Sequence, residues 1–231
     1  MLIPLNALND NYIWLFCSHH RGILIIDPAE SHPVLAFLRT HNTPPAAILI
    51  THNHSDHIGG IDGILAQYPT LPVYAPDEVK GDVHHLAPES KITIAGYEVE
   101  VIPTFGHTKG HISYLIEGHL FCGDSLFSAG CGRVFTHDYD AMFAGIQRLN
   151  ALPDDTIVCP AHEYTLSNLA FAQSVNPSAV IENTIKHVEK LRAQGKPSLP
   201  TTMAQEREIN PFLQAKTVAQ FTQLRQAKDH F

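Results

Sequence analysis

The stretch "ILITHNHSDHIGG" runs from Ile48 to Gly60. It opens on a short apolar, β-branched run of the kind that forms a buried strand. His52, His54, Asp56 and His57 follow at once, four polar donors within six residues. In extended backbone alternate side chains face one side, so His52, His54 and Asp56 are expected to converge where the strand ends. His57 falls at the entrance of the helix expected over "HIGGIDGILAQY". A lone histidine after a strand is usually a surface or hydrogen-bonded residue, but a solvated loop does not explain four such donors at one strand end. Imidazole and carboxylate in this mixture suit zinc, iron or manganese.

Three further donors stand in the same context, each just past an apolar run. They are His107 in "IPTFGHTKGH", Asp124 in "LFCGDS" and His162 in "IVCPAHEY". Polar groups emerging at strand ends are where open α/β architectures place their sites. Seven donors exceed what one tetrahedral ion can use, whereas two ions sharing a carboxylate use them all and keep open positions for water. Asp124, isolated between glycine and serine, is the expected bridge.

The chain has 231 residues, 44% of them hydrophobic and 16% charged, enough for one large domain or a domain with an appendage. No window approaches the ~20 apolar residues of a membrane span, and the start of the sequence lacks the basic and apolar regions of a secretion signal. A cytoplasmic monomer that binds neither membrane nor nucleic acid is expected. A formal charge of −8 argues against nucleic acid and means that an anionic ligand needs a local positive patch. Cys17, Cys122, Cys131 and Cys159 form no C-x-x-C pair and are expected to be reduced.

Strands are expected at 22–27, 46–51, 71–75 and 156–161, with hairpins over 91–103 and 112–123, and helices at 31–41, 57–68 and 138–151. After Tyr164 the pattern is helical throughout. Ile181, Ile185, Val188 and Leu191 form one face of a helix begun near Pro177 and ended by Gly195, and a last helix is expected over 212–228. An α/β domain over 1–164 followed by a helical C-terminal domain over 165–231 is therefore expected.

Taken in order, "THNHSDHIGG", "GHTKGH", "CGDSLF" and "PAHEYT" resemble the metal-binding motifs of the metallo-β-lactamase superfamily. The likeness narrows to the glyoxalase II (hydroxyacylglutathione hydrolase) family through "LNDNYIWL", "IIDP", "CGDSLFSAGCGR", "AHEYTLSNLAFA", "NPFL" and the terminal "RQAKD". The resemblance implies an α/β fold, the metallo-β-lactamase-like four-layered αβ/βα sandwich, with a helical C-terminal segment that binds substrate. It implies one metal on His52, His54 and His107, a second on Asp56, His57 and His162, and Asp124 bridging. The two divalent ions are expected to be zinc, with iron or manganese compatible. The substrate implied is the glutathione thioester S-D-lactoylglutathione, cleaved to D-lactate and glutathione in the second step of methylglyoxal detoxification. A hydroxide bridging the two ions, with Asp56 and Asp124 acting through it, would be the nucleophile. Arg133, Tyr164, Arg225 and Lys228 match the positions that grip glutathione.

Three positions depart from the family pattern. Phe135 stands where some relatives carry a substrate-contacting tyrosine, Phe105 replaces the proline of "T-P-G-H-T", and Arg133 replaces a lysine, keeping charge but changing geometry. Other expectations to weigh are a general thioesterase or lactonase of the same fold and, from a different class, a non-catalytic metal- or glutathione-binding module. "NPFL" and "RQAKD" favour the glutathione thioesterase over its same-fold rivals.

Overall fold

Strands that are apolar on both sides decide the layering. In the computed structural model, which describes residues 1–19 and 21–231, β1 (Leu2–Ala7) and β2 (Asn11–Phe16) form an antiparallel hairpin, and every β2 residue is buried. Tyr12, Trp14 and Phe16 face the space between two sheets, while Ile13 and Leu15 enter a separate cluster on the outside. This period-two division of an unbroken apolar run is what a sheet covered on both faces requires.

The first sheet has the order β1-β2-β3-β4-β5-β6. It adds β3 (Ile23–Ile26), β4 (Pro45–Leu49), β5 (Val73–Ala75) and β6 (His84–His85), mutually parallel. Helix α1 (Ser31–Thr40) and the short α2 (Ser55–Ile58) and α3 (Ile61–Leu65) belong to this half, where Val34, Leu38 and Ile64 cover the outer face. The second half contains β7 (Lys91–Ile94), β8 (Tyr97–Pro103), β9 (Ile112–Ile116), β10 (His119–Gly123), the small hairpin β11 (Leu126–Phe127) and β12 (Gly130–Cys131), helix α4 (Tyr139–Asn150) and β13 (Ile157–Pro160). The tail supplies α5 (Thr165–Val175), α6 (Ala179–Ala193), β14 (Thr201–Thr202), α7 (Met203–Ile209), α8 (Pro211–Gln214) and α9 (Val218–Asp229). The second sheet runs β14-β13-β10-β9-β8-β7. Between the sheets lie Trp14, Tyr97, Tyr114 and Phe121, and α4 with tail residues Phe171, Phe212 and Phe221 cover the outer face of the second sheet. The layers are therefore αβ/βα, as expected from the motifs.

The differences from expectation have local causes. The helix expected over 57–68 is two short helices, because Gly59 and Gly60 press against the 28–30 loop. A Cβ at Gly60 would lie 2.5 Å from the Glu30 carbonyl carbon, and the Gly60 N–H instead donates to the Pro28 carbonyl at 2.7 Å. The tail is not wholly helical, since β14 pairs with β13 (Ile157 opposite Thr202). The helix expected over 212–228 is α8 and α9, separated where Thr217 caps α9 by accepting from the Gln220 N–H at 3.2 Å. Strands β1, β2, β6, β11 and β12 were not among those expected. The hairpins over 91–103 and 112–123 are present, and both turns hold φ > 0 at two residues, Ala95–Gly96 and Glu117–Gly118. All four cysteines are free.

Asn210 of "NPFL" ties the tail to the β11–β12 hairpin. It is fully buried, donates to the carbonyls of Phe127 (3.0 Å) and Gly130 (2.9 Å), and caps α8 by accepting from Phe212 N–H at 3.1 Å, with Pro211 opening that helix. Asn210→Ala should lower the unfolding free energy by roughly 2–4 kcal/mol through a lost cap and buried carbonyls left unpaired, read from urea denaturation midpoints.

Candidate active site

Four strand ends bring the donors to one edge of the sandwich. His52 to His57 follow β4, His107 lies just past β8, Asp124 directly follows β10, and His162 lies two residues beyond β13. The alternation expected of His52, His54 and Asp56 holds only for the two histidines. Asp56 and His57 lie in the first turn of α2, which turns them toward a different set of partners.

Two donor clusters result. His52, His54, His107 and Asp124 offer ligand atoms within 4.8 Å of one another, and so do Asp56, His57 and His162. Asp124 lies between them: Oδ2 is 3.4 Å from His107 Nε2, while Oδ1 is 3.4 Å from His57 Nε2 and 3.3 Å from His162 Nε2. All seven sequence-predicted metal donors therefore converge.

Hydrogen bonds behind the rings fix which nitrogen faces inward. His57 Nδ1 donates to Asp27 Oδ2 (3.0 Å), His162 Nδ1 to Asp10 Oδ1 (2.8 Å) and His107 Nδ1 to the Arg133 carbonyl (2.9 Å). Carboxylates and carbonyls only accept, so each Nδ1 carries hydrogen, and Nε2 is the nitrogen turned toward the centre. Thr51 Oγ1 donates to Asp27 Oδ2 (2.7 Å) and accepts from His52 Nδ1 (3.0 Å), which gives His52 the same tautomer.

The inner atoms then lack a satisfactory arrangement without a cation. His52 Nε2 and His107 Nε2 lie 3.0 and 3.1 Å from His54 Nδ1, which can donate to only one of them. His57 Nε2 and Asp124 Oδ1 are buried with no hydrogen-bond partner among the described residues. Donors on a tetrahedral ion with bonds of ~2.0 Å stand about 3.3 Å apart, close to these separations. The donor set is that of a divalent-metal centre.

The ionisation of the cluster agrees. Burial pushes His52 and His107 below the ordinary histidine value, so both are neutral. Burial opposes a charge on His57 and His162 too, but Asp124 and Asp27 outweigh it for His57, and Asp124 and Asp56 lift His162 to about 10. Burial would raise Asp124, yet His57 and His162 hold it well below the carboxylate range, and Asp56 is lowered chiefly by its bond with His162. Metal-free, the second cluster is thus an imidazolium–carboxylate lattice, whose protons a metal ion would displace.

Beside this centre lies a cavity of 280 Å³ lined by His107, Asp124, Arg133, Phe135, Tyr164 and Lys228 among others. Tyr164 stacks on His162 at 4.7 Å with 6° between the rings. Lys228 Nζ donates to Ser167 Oγ at 3.2 Å. Arg225 also borders the cavity, but it is buried, with Nη1 donating to the Cys131 carbonyl (2.7 Å) and Nη2 to Asp229 (3.1 Å). Phe135 is exposed and meets the rings of His54 and His107 edge-on. A larger cavity, 360 Å³, lies behind the 104–111 loop and is lined by none of the seven donors.

Sequence reasoning assigned no role to Asp10, Asn11, Asp27 or His111. Asn11 donates to Asp56 Oδ2 at 3.1 Å, and buried His111 accepts from the Asp124 N–H at 3.1 Å. The only available signals were the motifs "NDNY", "IIDP" and "GHTKGH", which carry no geometry. Two glycines flank the Asp124 segment at close backbone approaches. A Cβ at Gly123, where φ is +47°, would meet Thr51 Oγ1 at 2.4 Å, and one at Gly132 would meet the Asp124 carbonyl oxygen at 1.8 Å.

Fold and metal centre together define a protein of the metallo-β-lactamase superfamily. Sequence models agree: "Beta-lactamase superfamily domain" matches residues 21–117, "Metallo-beta-lactamase superfamily" 74–162 and "Hydroxyacylglutathione hydrolase C-terminus" 163–231. A hydroxyacylglutathione hydrolase of Glaesserella parasuis is 48% identical over 100% of this chain and 99% of its own. The chain belongs to the hydroxyacylglutathione hydrolase family. Among solved structures, ETHE1 from Myxococcus xanthus superposes with a TM-score of 0.73 at 22% identity, covering 98% of this chain and 90% of that one. TTHA1623 in a di-iron-bound form gives 0.65 at 25% identity, covering 92% and 100%.

In the metal-free protein, His162 is raised from 6.5 to about 10. Its contribution to stability is complete below the unfolded value near 6.5 and is lost as pH rises through about 10. Chelator-stripped protein should therefore show a thermal midpoint that falls between pH 7 and 10, while the metal-loaded protein, with this proton displaced, should not show that fall. Calorimetry across this range checks both.

Proposed function

We propose that the chain hydrolyses hydroxyacylglutathione thioesters, S-D-lactoylglutathione foremost, to the hydroxy acid and glutathione. The observation that carries this is one cavity bordered at once by metal donors His107 and Asp124 and by the cations Arg133 and Lys228. A thioester carbonyl can then reach the metal centre while an anionic peptide tail meets positive charge.

On this reading His52, His54 and His107 hold one ion, Asp56, His57 and His162 the other, and Asp124 serves both. Zinc is our first assignment, from the nitrogen-rich donor set; the di-iron form of TTHA1623 keeps iron as the alternative. Bound divalent cations supply Lewis acidity, which acidifies water near neutral pH and polarises a carbonyl. The protein's part is placement. Asp56, the more exposed of the two donor carboxylates and held by Asn11, orients the attacking water. Arg133 and Lys228 receive the glutathione carboxylates, and Tyr164 offers a hydroxyl kept protonated by burial and nearby acids. The departing thiolate is weakly basic, so no general acid has to be supplied. Residues 165–231 act as the substrate-binding segment on a catalytic unit of 1–164.

His54→Ala should lose both metal and S-D-lactoylglutathione hydrolysis, measured by elemental analysis and thiol release; normal turnover by metal-free protein would sink the proposal. Arg133→Ala with Lys228→Ala should raise KM about tenfold or more with metal content intact. Arg225→Ala should also lower the thermal midpoint, because its guanidinium is built into the fold.

A further inference from the structure

Glu78, in the loop after β5, joins two ligand-bearing loops without being a ligand. Its Oε1 accepts from the Thr108 hydroxyl at 2.6 Å and the Asn53 N–H at 3.3 Å, and its Oε2 accepts from the Gly110 N–H at 2.7 Å. Asn53 separates His52 from His54, and Thr108 directly follows His107. One carboxylate therefore spans the two chain segments that carry the three histidines of the first cluster. Gly110 makes room for it, since a Cβ there would stand 3.0 Å from Glu78 Cγ, Cδ and Oε2. A backbone bond from Ile112 N–H to the Thr51 carbonyl, at 3.0 Å, links the same segments only on the strand side.

The second cluster depends on other acids. Asp27 holds His57 and Asp10 holds His162, from the 27–30 loop and the β1–β2 turn. Glu78 touches neither.

We propose that Glu78 is a positioning residue that sets the approach of the His52–His54 loop to His107, and so tunes one metal site independently of the other. The inference rests on the binuclear reading above. Without the carboxylate, Asn53, Thr108 and Gly110 turn to water, and the two loops are free to separate at the point where His54 and His107 must meet. Partners behind metal ligands typically contribute 10- to 100-fold in affinity.

The test is cobalt titration of chelator-stripped full-length protein, followed by visible absorption, with His107→Ala and His162→Ala assigning the bands of each site. Wild type should take up two equivalents. Glu78→Ala should weaken the His107-dependent equivalent about 10- to 100-fold and leave the His162-dependent one within about twofold. Glu78→Gln keeps one acceptor oxygen for Asn53 and Thr108 and should recover most of the loss. Circular dichroism melts check that both variants fold. Two wild-type equivalents with equal weakening of both sites, or of neither, in Glu78→Ala would overturn the inference alone. Uptake of a single equivalent by wild type would overturn the binuclear reading and the site-selective inference with it.

Discussion

A carboxylate taken out of water governs the centre. Asp124 is buried, and each of its oxygens faces a different histidine cluster. An unpaired buried carboxylate costs several kcal/mol, so the surroundings have to supply positive charge. In the bare protein His57 and His162 do so as imidazolium ions; in the metal-loaded state cations replace their protons. The backbone at Asp124 has little freedom to relax. His111 holds its N–H, and Gly123 and Gly132 lie where any side chain would collide with the site. The glycines that bracket "GDSLFSAGCG" therefore follow from how closely Thr51, His111 and the Asp124 backbone pack there.

Around this constraint the supporting acids divide the labour. Asp27 is 4% exposed and accepts from Thr51 N–H, Thr51 Oγ1 and His57 Nδ1, which fixes the end of β4 and one ring together. Asp10 approaches from the β1–β2 turn, which is itself pinned to β13 by Tyr12 N–H donating to the Ala161 carbonyl at 2.7 Å. The N-terminal hairpin is thus part of the metal centre's scaffold as much as the edge of a sheet. Carboxylates at this range set histidine tautomer and orientation, so ring geometry depends on residues distant in sequence.

This dependence explains what the sequence could reveal. Donor identity was legible because His52, His54, Asp56 and His57 are crowded, and crowding of such groups has few explanations besides metal. Strands β3, β4, β5, β7, β8, β9, β10 and β13 were legible from their β-branched runs and turn residues. Hairpin β1–β2 was not, because each of its strands holds a single β-branched residue, and β11–β12 was not, because pairs of two residues carry no pattern. Gly59 and Gly60 ended a helix through contacts with residues 28–30, which no local reading contains. Asp10, Asp27 and His111 were visible only as motif letters, since their work is done across 13 to 152 residues of sequence separation.

Arg225 illustrates the same point from the substrate side. The terminal motif marks it as a glutathione contact, yet two of its guanidinium nitrogens are engaged with Cys131 and Asp229, and the ring of Phe212 lies 5.3 Å from it. Glu206 likewise accepts from Ala129 N–H at 2.8 Å, and Asn210 holds Phe127 and Gly130. All three tail residues grip the β11–β12 hairpin, which begins two residues after Asp124 and ends two residues before Arg133. Asp229 then accepts from both Arg225 (3.1 Å) and Arg133 Nε (3.3 Å), setting one guanidinium beside the cavity by way of the other. On its buried side the tail moulds the segment between a metal donor and a proposed substrate cation. The tail thus reaches the border of the metal edge without supplying any of the seven donors.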